Sequence, residues 1–210
     1  MSPVVLVHGF LVGPWSMRWL GRRLEKAGFA THSFGFSSRQ LSLRQAADQL
    51  AIFCQRIHPS PCHLVCHSLG GLVALEMLHA QSRDEPPDSV SAASLVLLGT
   101  PVKGAQAAQG LGRTAWGQRL LGEAKSSLNH SFDHAPQGWS TTVIAGTRSV
   151  GLGRLFSPLP LPNDGTVALS ETTLMGARSI QVHASHSGLL MSSEVAKHTV
   201  SSLQPSRPKP

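Results

Sequence analysis

A serine hydroxyl attacks a carbonyl carbon only when a base takes its proton. One stretch of this chain sets a serine up for that chemistry: Leu64-Val65-Cys66-His67-Ser68-Leu69-Gly70-Gly71. An apolar run leads into Ser68, and glycines stand two and three positions after it. A strand turning sharply into a helix there would strain the serine backbone and lift its hydroxyl out of the sheet. Small residues answer the crowding between strand and helix, and the helix N-terminus points free N–H groups at developing negative charge. Ser68 could instead be a plain helix N-cap. The strand before it and the glycine pair after it favour the nucleophile. Cys66, the nearest thiol, is expected inside the strand rather than at the turn.

The elements that must hold this turn follow from patterning along the 210 residues, a length suited to one domain. Hydrophobic residues make up 41% and charged residues 14%, a composition that folds around a core and excludes a disordered chain. No apolar run approaches the roughly 18 residues of a membrane span. Residues 4–7 form a short β-branched run ending at Gly9, with His8 between, and read as a buried strand. Further strands are expected at 29–34, 63–66, 94–98, 142–145 and 179–183. Helical spacing of apolar residues marks 15–27, 41–57, 69–80 and 191–203. Residues 82–91 read as a surface loop and 205–210 as a loose tail.

Six short strands alternating with helices imply an α/β fold, a parallel sheet covered on both faces. Ligands of such sheets bind beyond the carboxyl ends of the strands. His8-Gly9-Phe10, His67-Ser68-Leu69, Gly99-Thr100-Pro101 and His186 all fall at those ends. Residues 102–140 are too long for an ordinary connection and suggest a small cap between strands four and five. Within the cap, Ala115, Trp116, Arg119, Leu120, Glu123 and Leu128 would share one face, either a covering helix or a lid. Residues 152–161 could form a second wall. The single domain would then span 1–204.

The string Cys66-His67-Ser68-Leu69-Gly70 resembles the G-x-S-x-G nucleophile elbow of the α/β-hydrolase superfamily, in particular of small bacterial lipases and esterases. Cys66 replaces the first glycine and is itself small. The resemblance implies a compact core without the antiparallel strands that open larger relatives, and a triad in the order serine, acid, histidine. The acid it implies is Asp164, in the turn Pro162-Asn163-Asp164-Gly165, with Glu171 in reserve. The base it implies is His186, just beyond the last strand. His183, expected inside that strand, and His198, inside the last helix, are the alternatives. The oxyanion donors it implies are the backbone N–H groups of Phe10 and Leu69. Phe10, Leu11, Leu189 and Leu190 would line the acyl cleft. His8 is expected to shape its loop, and His67 to be structural with its ring turned away from Ser68.

These residues imply a serine ester hydrolase of esterase or lipase type, working through an acyl-enzyme. Acyl transfer, thioester or amide hydrolysis with the same triad is the alternative, as is a non-catalytic scaffold. The 11 histidines lack metal-ligand spacing, so neither metal nor cofactor is expected. The net charge of +7 comes with scattered Lys and Arg and no Tyr, which argues against a nucleic-acid face. A small-molecule or lipid ester is the expected partner, with peripheral contact to anionic lipid open to a chain of this charge. The oligomeric state is left open. Cys54, Cys62 and Cys66 are odd in number and read as reduced thiols. Met1-Ser2-Pro3 runs straight into the first strand with no basic start or cleavage site, which favours a cytoplasmic location.

Overall fold

The computed structural model describes residues 3–57, 62–82, 93–151 and 158–204. Six strands form one sheet: β1 (Val4–Val7), β2 (Thr31–Phe34), β3 (His63–His67), β4 (Ser94–Leu98), β5 (Ser140–Gly146) and β6 (Arg178–Val182). Their spatial order is β2-β1-β3-β4-β5-β6, and every neighbouring pair is parallel. The expected strands are all present, with bounds moved by up to two residues. The second now starts at Thr31, and the last ends at Val182.

Side-chain alternation along the strands builds two cores, one on each face. Val5, Val7, Leu64, Cys66, Leu95, Leu97 and Val143 face one cluster, completed by α2 (Leu43–Ile57) and α3 (Leu69–Gln81). Val4, Leu6, Val65, Val96, Leu98, Ile144 and Val182 face the other, completed by α1 (Arg18–Lys26) and α7 (Ser193–Leu203). The central strands are buried throughout, while β2 and β6 are half-exposed edges. The connection after β1 crosses one face and those after β2 and β3 cross the other. The chain thus reverses direction of winding between β1 and β3, and a crevice opens beyond their carboxyl ends.

Two helices start later than their apolar spacing implies. The 15–27 helix divides into a 3-10 turn at Pro14–Met17 and α1, because Pro14 starts the turn. The last helix starts at Ser193, where the Ser192 hydroxyl accepts the Val195 N–H, and a separate 3-10 turn occupies Gly188–Leu190. The expected loop beyond Ser82, residues 152–157 of the expected wall and the tail 205–210 lie outside the described residues.

The cap is three short helices, α4 (Gln106–Leu111), α5 (Ala115–Leu121) and α6 (Ala124–Asn129). Its apolar face differs from the expected one. Ala115, Trp116, Arg119 and Glu123 are exposed, and Leu111, Leu121, Ala124 and Leu128 turn inward to the α2–α3 core. The cause is Gly122, at φ +53°, which breaks the helix and resets its phase. A side chain at Gly122 would run into the Arg39 carbonyl, so the cap sits directly on the β2–α2 loop. That seating is reinforced where Arg39 donates to the Arg119 carbonyl at 2.9 Å and Glu123 N–H to the Arg39 carbonyl at 3.0 Å.

A close backbone approach lies at the start of α3. A Cβ on Gly70 would meet the carbonyl oxygens of Val7, at 2.7 Å, and of His8. Both obstacles are backbone, which cannot rotate away. Gly70→Ala is therefore expected to destabilise the fold by about 1–3 kcal/mol or more, as overpacking does. Urea unfolding of the variant checks this, and an unchanged midpoint would show that β1 and α3 are free to separate.

Candidate active site

Ser68 stands at the join of β3 and α3 with φ +53° and ψ −123°. Only Ser68 and Leu11 have positive φ among the described non-glycine residues. A residue with a Cβ rarely tolerates this backbone, and the strain is held in place by β3 on one side and the buried α3 on the other. Ser68 N–H donates to the Leu98 carbonyl at 2.9 Å, tying the turn to β4. The Ser68 side chain is not engaged as an N-cap. Its hydroxyl makes no hydrogen bond among the described residues. Cys66 lies inside β3 as expected, wholly buried, and burial pushes its thiol well above the usual range.

The loop after β1 closes over this turn. A Cβ on Gly9 would lie 3.1 Å from that of Ser68 and 2.9 Å from Nδ1 of His67, so only glycine fits. His8 shapes the loop as expected. Its Nε2 accepts the Phe36 N–H at 3.3 Å, leaving Nδ1–H to donate to the Gly9 carbonyl at 2.8 Å. Its ring stacks on Phe36 at 4.7 Å. Leu11, at φ +58°, donates its N–H to the Ser38 hydroxyl at 3.3 Å. By contrast, the N–H groups of Phe10 and Leu69 meet no acceptor among the described residues. Support from Phe36 and Ser38 was invisible in the sequence, because the β2–α2 loop reaches this place only through the fold.

Asp164 and His186 meet in the β5–β6 and post-β6 loops. His186 Nδ1 lies 2.7 Å from Asp164 Oδ2, with Asp164 only 1% exposed. The other carboxylate oxygen accepts the N–H groups of Thr166, at 2.9 Å, and Val167, at 2.7 Å. His186 N–H donates to the Asp164 carbonyl at 2.9 Å, so the two residues are joined through backbone and side chain alike. A carboxylate so engaged makes His186 Nδ1 the protonated nitrogen and leaves Nε2 bare. Asn163, fully buried, braces the acid turn: its Oδ1 accepts from the Ser149 hydroxyl at 2.6 Å and Gly165 N–H at 2.9 Å. Its side chain made it look like a turn former alone; its bracing role needs Ser149, 14 positions away. Gly99, at φ +56°, ends β4 beneath His186, where a Cβ would lie 3.0 Å from the imidazole Nδ1.

The alternatives fall elsewhere. Glu171 is buried, with its carboxylate oxygens on the N–H groups of Gln106 and Ala168, both at 2.6 Å. It anchors the cap's first helix, and burial raises its carboxyl above the usual range. His183 is exposed and one residue past β6, contrary to the expected packing inside the strand. His198 is half-buried in α7. Leu189 and Leu190 are 0% and 6% exposed and belong to the α1–α7 core, so they are enclosed by protein rather than open to a cleft. Leu11 is 51% exposed and Phe10 partly buried. No three His, Cys, Asp or Glu side chains converge in a metal-holding group among the described residues. Nor is any described helix long and apolar enough to cross a membrane.

The ring of His67 lies against that of His186, with centroids 4.7 Å apart, and its Nε2 is 3.1 Å from the His186 carbonyl, a contact that the sequence did not indicate.

A parallel sheet with helices on both faces, a positive-φ serine after its third strand and an Asp–His pair beyond its last two define a class of fold. The chain belongs to the alpha/beta hydrolase family, whose model matches residues 4–195. Among solved structures, Bacillus licheniformis lipase BlEst2 is similar at a TM-score of 0.68 and 19% identity, covering 90% of this chain and 86% of that one. The ydeN gene product of B. subtilis is similar at 0.68 and 19%, covering 96% and 98%. The NocB thioesterase domain from the nocardicin cluster is similar at 0.57 and 17%, covering 96% and 91%. No curated protein sequence matches the chain.

Burial dominates the ionisation of His67, pushing it down to about 3, and the neighbouring His186 acts in the same direction. An unfolded histidine titrates near 6.5. The unfolded chain therefore binds this proton first, and the stability of the neutral buried form is present above about pH 6.5 and lost as pH falls toward 3. Urea midpoints measured across that window should fall more steeply with acid for the parent chain than for His67→Gln. Equal slopes would mean that His67 is not held neutral.

Proposed function

We propose that the protein is a carboxylic-ester hydrolase with Ser68 as nucleophile, His186 as general base and acid, and Asp164 as the carboxylate that orients the imidazole. The observation that carries this reading is the buried Asp164–His186 pair at 2.7 Å, set beside the turn that strains Ser68. Ser68 Oγ attacks the ester carbonyl carbon while His186 Nε2 takes its proton. The carbonyl oxygen becomes an oxyanion, held by the otherwise unengaged N–H groups of Phe10 and Leu69. As the tetrahedral species collapses, the ester C–O bond breaks and the imidazolium returns the proton to the leaving alcohol. Water, deprotonated by the same nitrogen, then attacks the acyl-enzyme and releases the acid and the free serine.

The reading requires the Ser68 hydroxyl to reach His186 Nε2 in the bound complex, where such bonds commonly tighten. Asp164, held by three donors, supports the transient imidazolium without taking the proton itself. The lipase likeness favours ester substrates. The likeness to a thioesterase domain favours the second reading, cleavage or transfer of a thioester acyl group by the same three residues. Parallel assays on p-nitrophenyl esters and on acyl thioesters of equal chain length separate the two.

Ser68→Ala should abolish both activities and fluorophosphonate labelling without unfolding the chain. His186→Ala should lower kcat by about 10⁴-fold or more. His183→Ala, on an exposed side chain, should leave kcat nearly unchanged. Undiminished turnover in Ser68→Ala would remove the nucleophile from this scheme, and a folded parent that neither labels nor hydrolyses would return it to a scaffold.

A further inference from the structure

His67 carries a hydrogen bond that the triad does not account for. It is the last residue of β3, directly before Ser68, and only 5% exposed. The His186 carbonyl can only accept, so the His67 nitrogen 3.1 Å from it, Nε2, must carry the proton. Nδ1 is then the bare nitrogen. It is buried without any hydrogen-bond partner and faces Gly9, where an added Cβ would stand 2.9 Å away. The ring is thus wedged between the backbone of the β1 loop and the ring of His186.

A buried nitrogen without a partner is unfavourable. An aliphatic side chain would fill the same space without that cost, so packing alone does not explain an imidazole here. What the imidazole adds is the bond to His186. The Asp164–His186 unit is internally rigid, joined through Nδ1 and through the backbone. Both residues nevertheless belong to loops around β5 and β6, two strands away from β3. Among the described residues, the bond from His67 Nε2 is the one hydrogen bond linking the nucleophile's strand to the loop of the base.

We propose that His67 is a positioning residue: its Nε2–H clamps the His186 carbonyl and so sets the distance between the Asp164–His186 pair and Ser68. This deepens the hydrolase reading and rests on it. His67 does not compete as a base, because a second proton, on Nδ1, would find no acceptor. The titratable groups facing it are His186, Asp164 and His8. Of these, His186 and His8 oppose a charge on His67, Asp164 favours one, and burial outweighs all three. Gln can place an amide N–H at the reach of Nε2, whereas Asn reaches only as far as Nδ1 and Leu donates nothing.

The test compares His67→Gln, His67→Asn and His67→Leu with the parent chain. Each is assayed on a p-nitrophenyl ester, with rates divided by the number of sites that a fluorophosphonate labels. Loosening a base by about 1 Å costs roughly 10²-fold. His67→Leu and His67→Asn should lose about that much in kcat per labelled site. KM should stay near the parent value, and His67→Gln should recover most of the loss. If His67→Leu fails to fold, the Asn and Gln pair still decides the matter. Equal kcat per site in Gln and Asn variants, or a loss confined to the number of foldable sites, would overturn the clamp. A parent chain that neither labels nor hydrolyses would instead overturn the hydrolase reading, and the clamp with it.

Discussion

Everything at the carboxyl edge of the sheet depends on how closely α3 starts beneath the end of β1. Gly70 touches the carbonyls of Val7 and His8, and Gly9 touches His67 and Ser68. No side chain fits at either contact, so the turn at Ser68 and the loop at Phe10 are pressed into one another. The positive φ of Ser68 is a consequence of that compression. A strand must end, reverse and start a helix within one residue, and the strain is borne by a core that surrounds α3 on nearly every side. Among the described residues, the backbone N–H groups of Leu69 and Phe10 find no acceptor in this geometry.

The second half of the site is built on different principles. Asp164 is almost wholly buried, and a buried carboxylate is tolerable only with its lone pairs engaged. Thr166, Val167 and His186 supply those donors, and Asn163 and Ser149 stiffen the turn that presents them. Glu171 solves the same problem differently. Its two oxygens take backbone N–H groups at the start of the cap and at Ala168, so it ties the cap to the segment that carries Asp164. One buried carboxylate faces an imidazole and the other faces only amides. The two differ in partner rather than in burial.

Charge contributes little to the interior. Among the described residues, the ion pairs apart from Asp164–His186 are Arg44 with Asp48 and Glu76, and Lys103 with Asp133, all at least partly exposed and of small energetic weight. The described Lys and Arg residues of the +7 chain are all exposed, where charge sets long-range attraction more than fold. The interior is held by apolar packing on two faces, and His8, His63 and His67 enter it only as neutral rings, each pushed down by burial.

The sequence by itself determined the strand order of residue types, the elbow string around Ser68 and the parallel sheet, since period-two and helical spacing are local properties of the chain. Asp164 and His186 were marked only through the resemblance, which implies an acid and then a histidine after Ser68, near the strand ends. The cap's inward face could not be read, because a left-handed Gly122 shifts helical phase and its conformation is fixed by contact with Arg39. Nor could the burial of Leu189 and Leu190, which a 3-10 turn folds into the α1–α7 core. The aim of His67 was decided at the same level. Its ring direction depends on the Gly9 backbone and the His186 carbonyl, 58 residues before it and 119 after. Local pattern encodes which residues form each element; only packing between distant elements decides which side chains meet, because those contacts have no period along the chain.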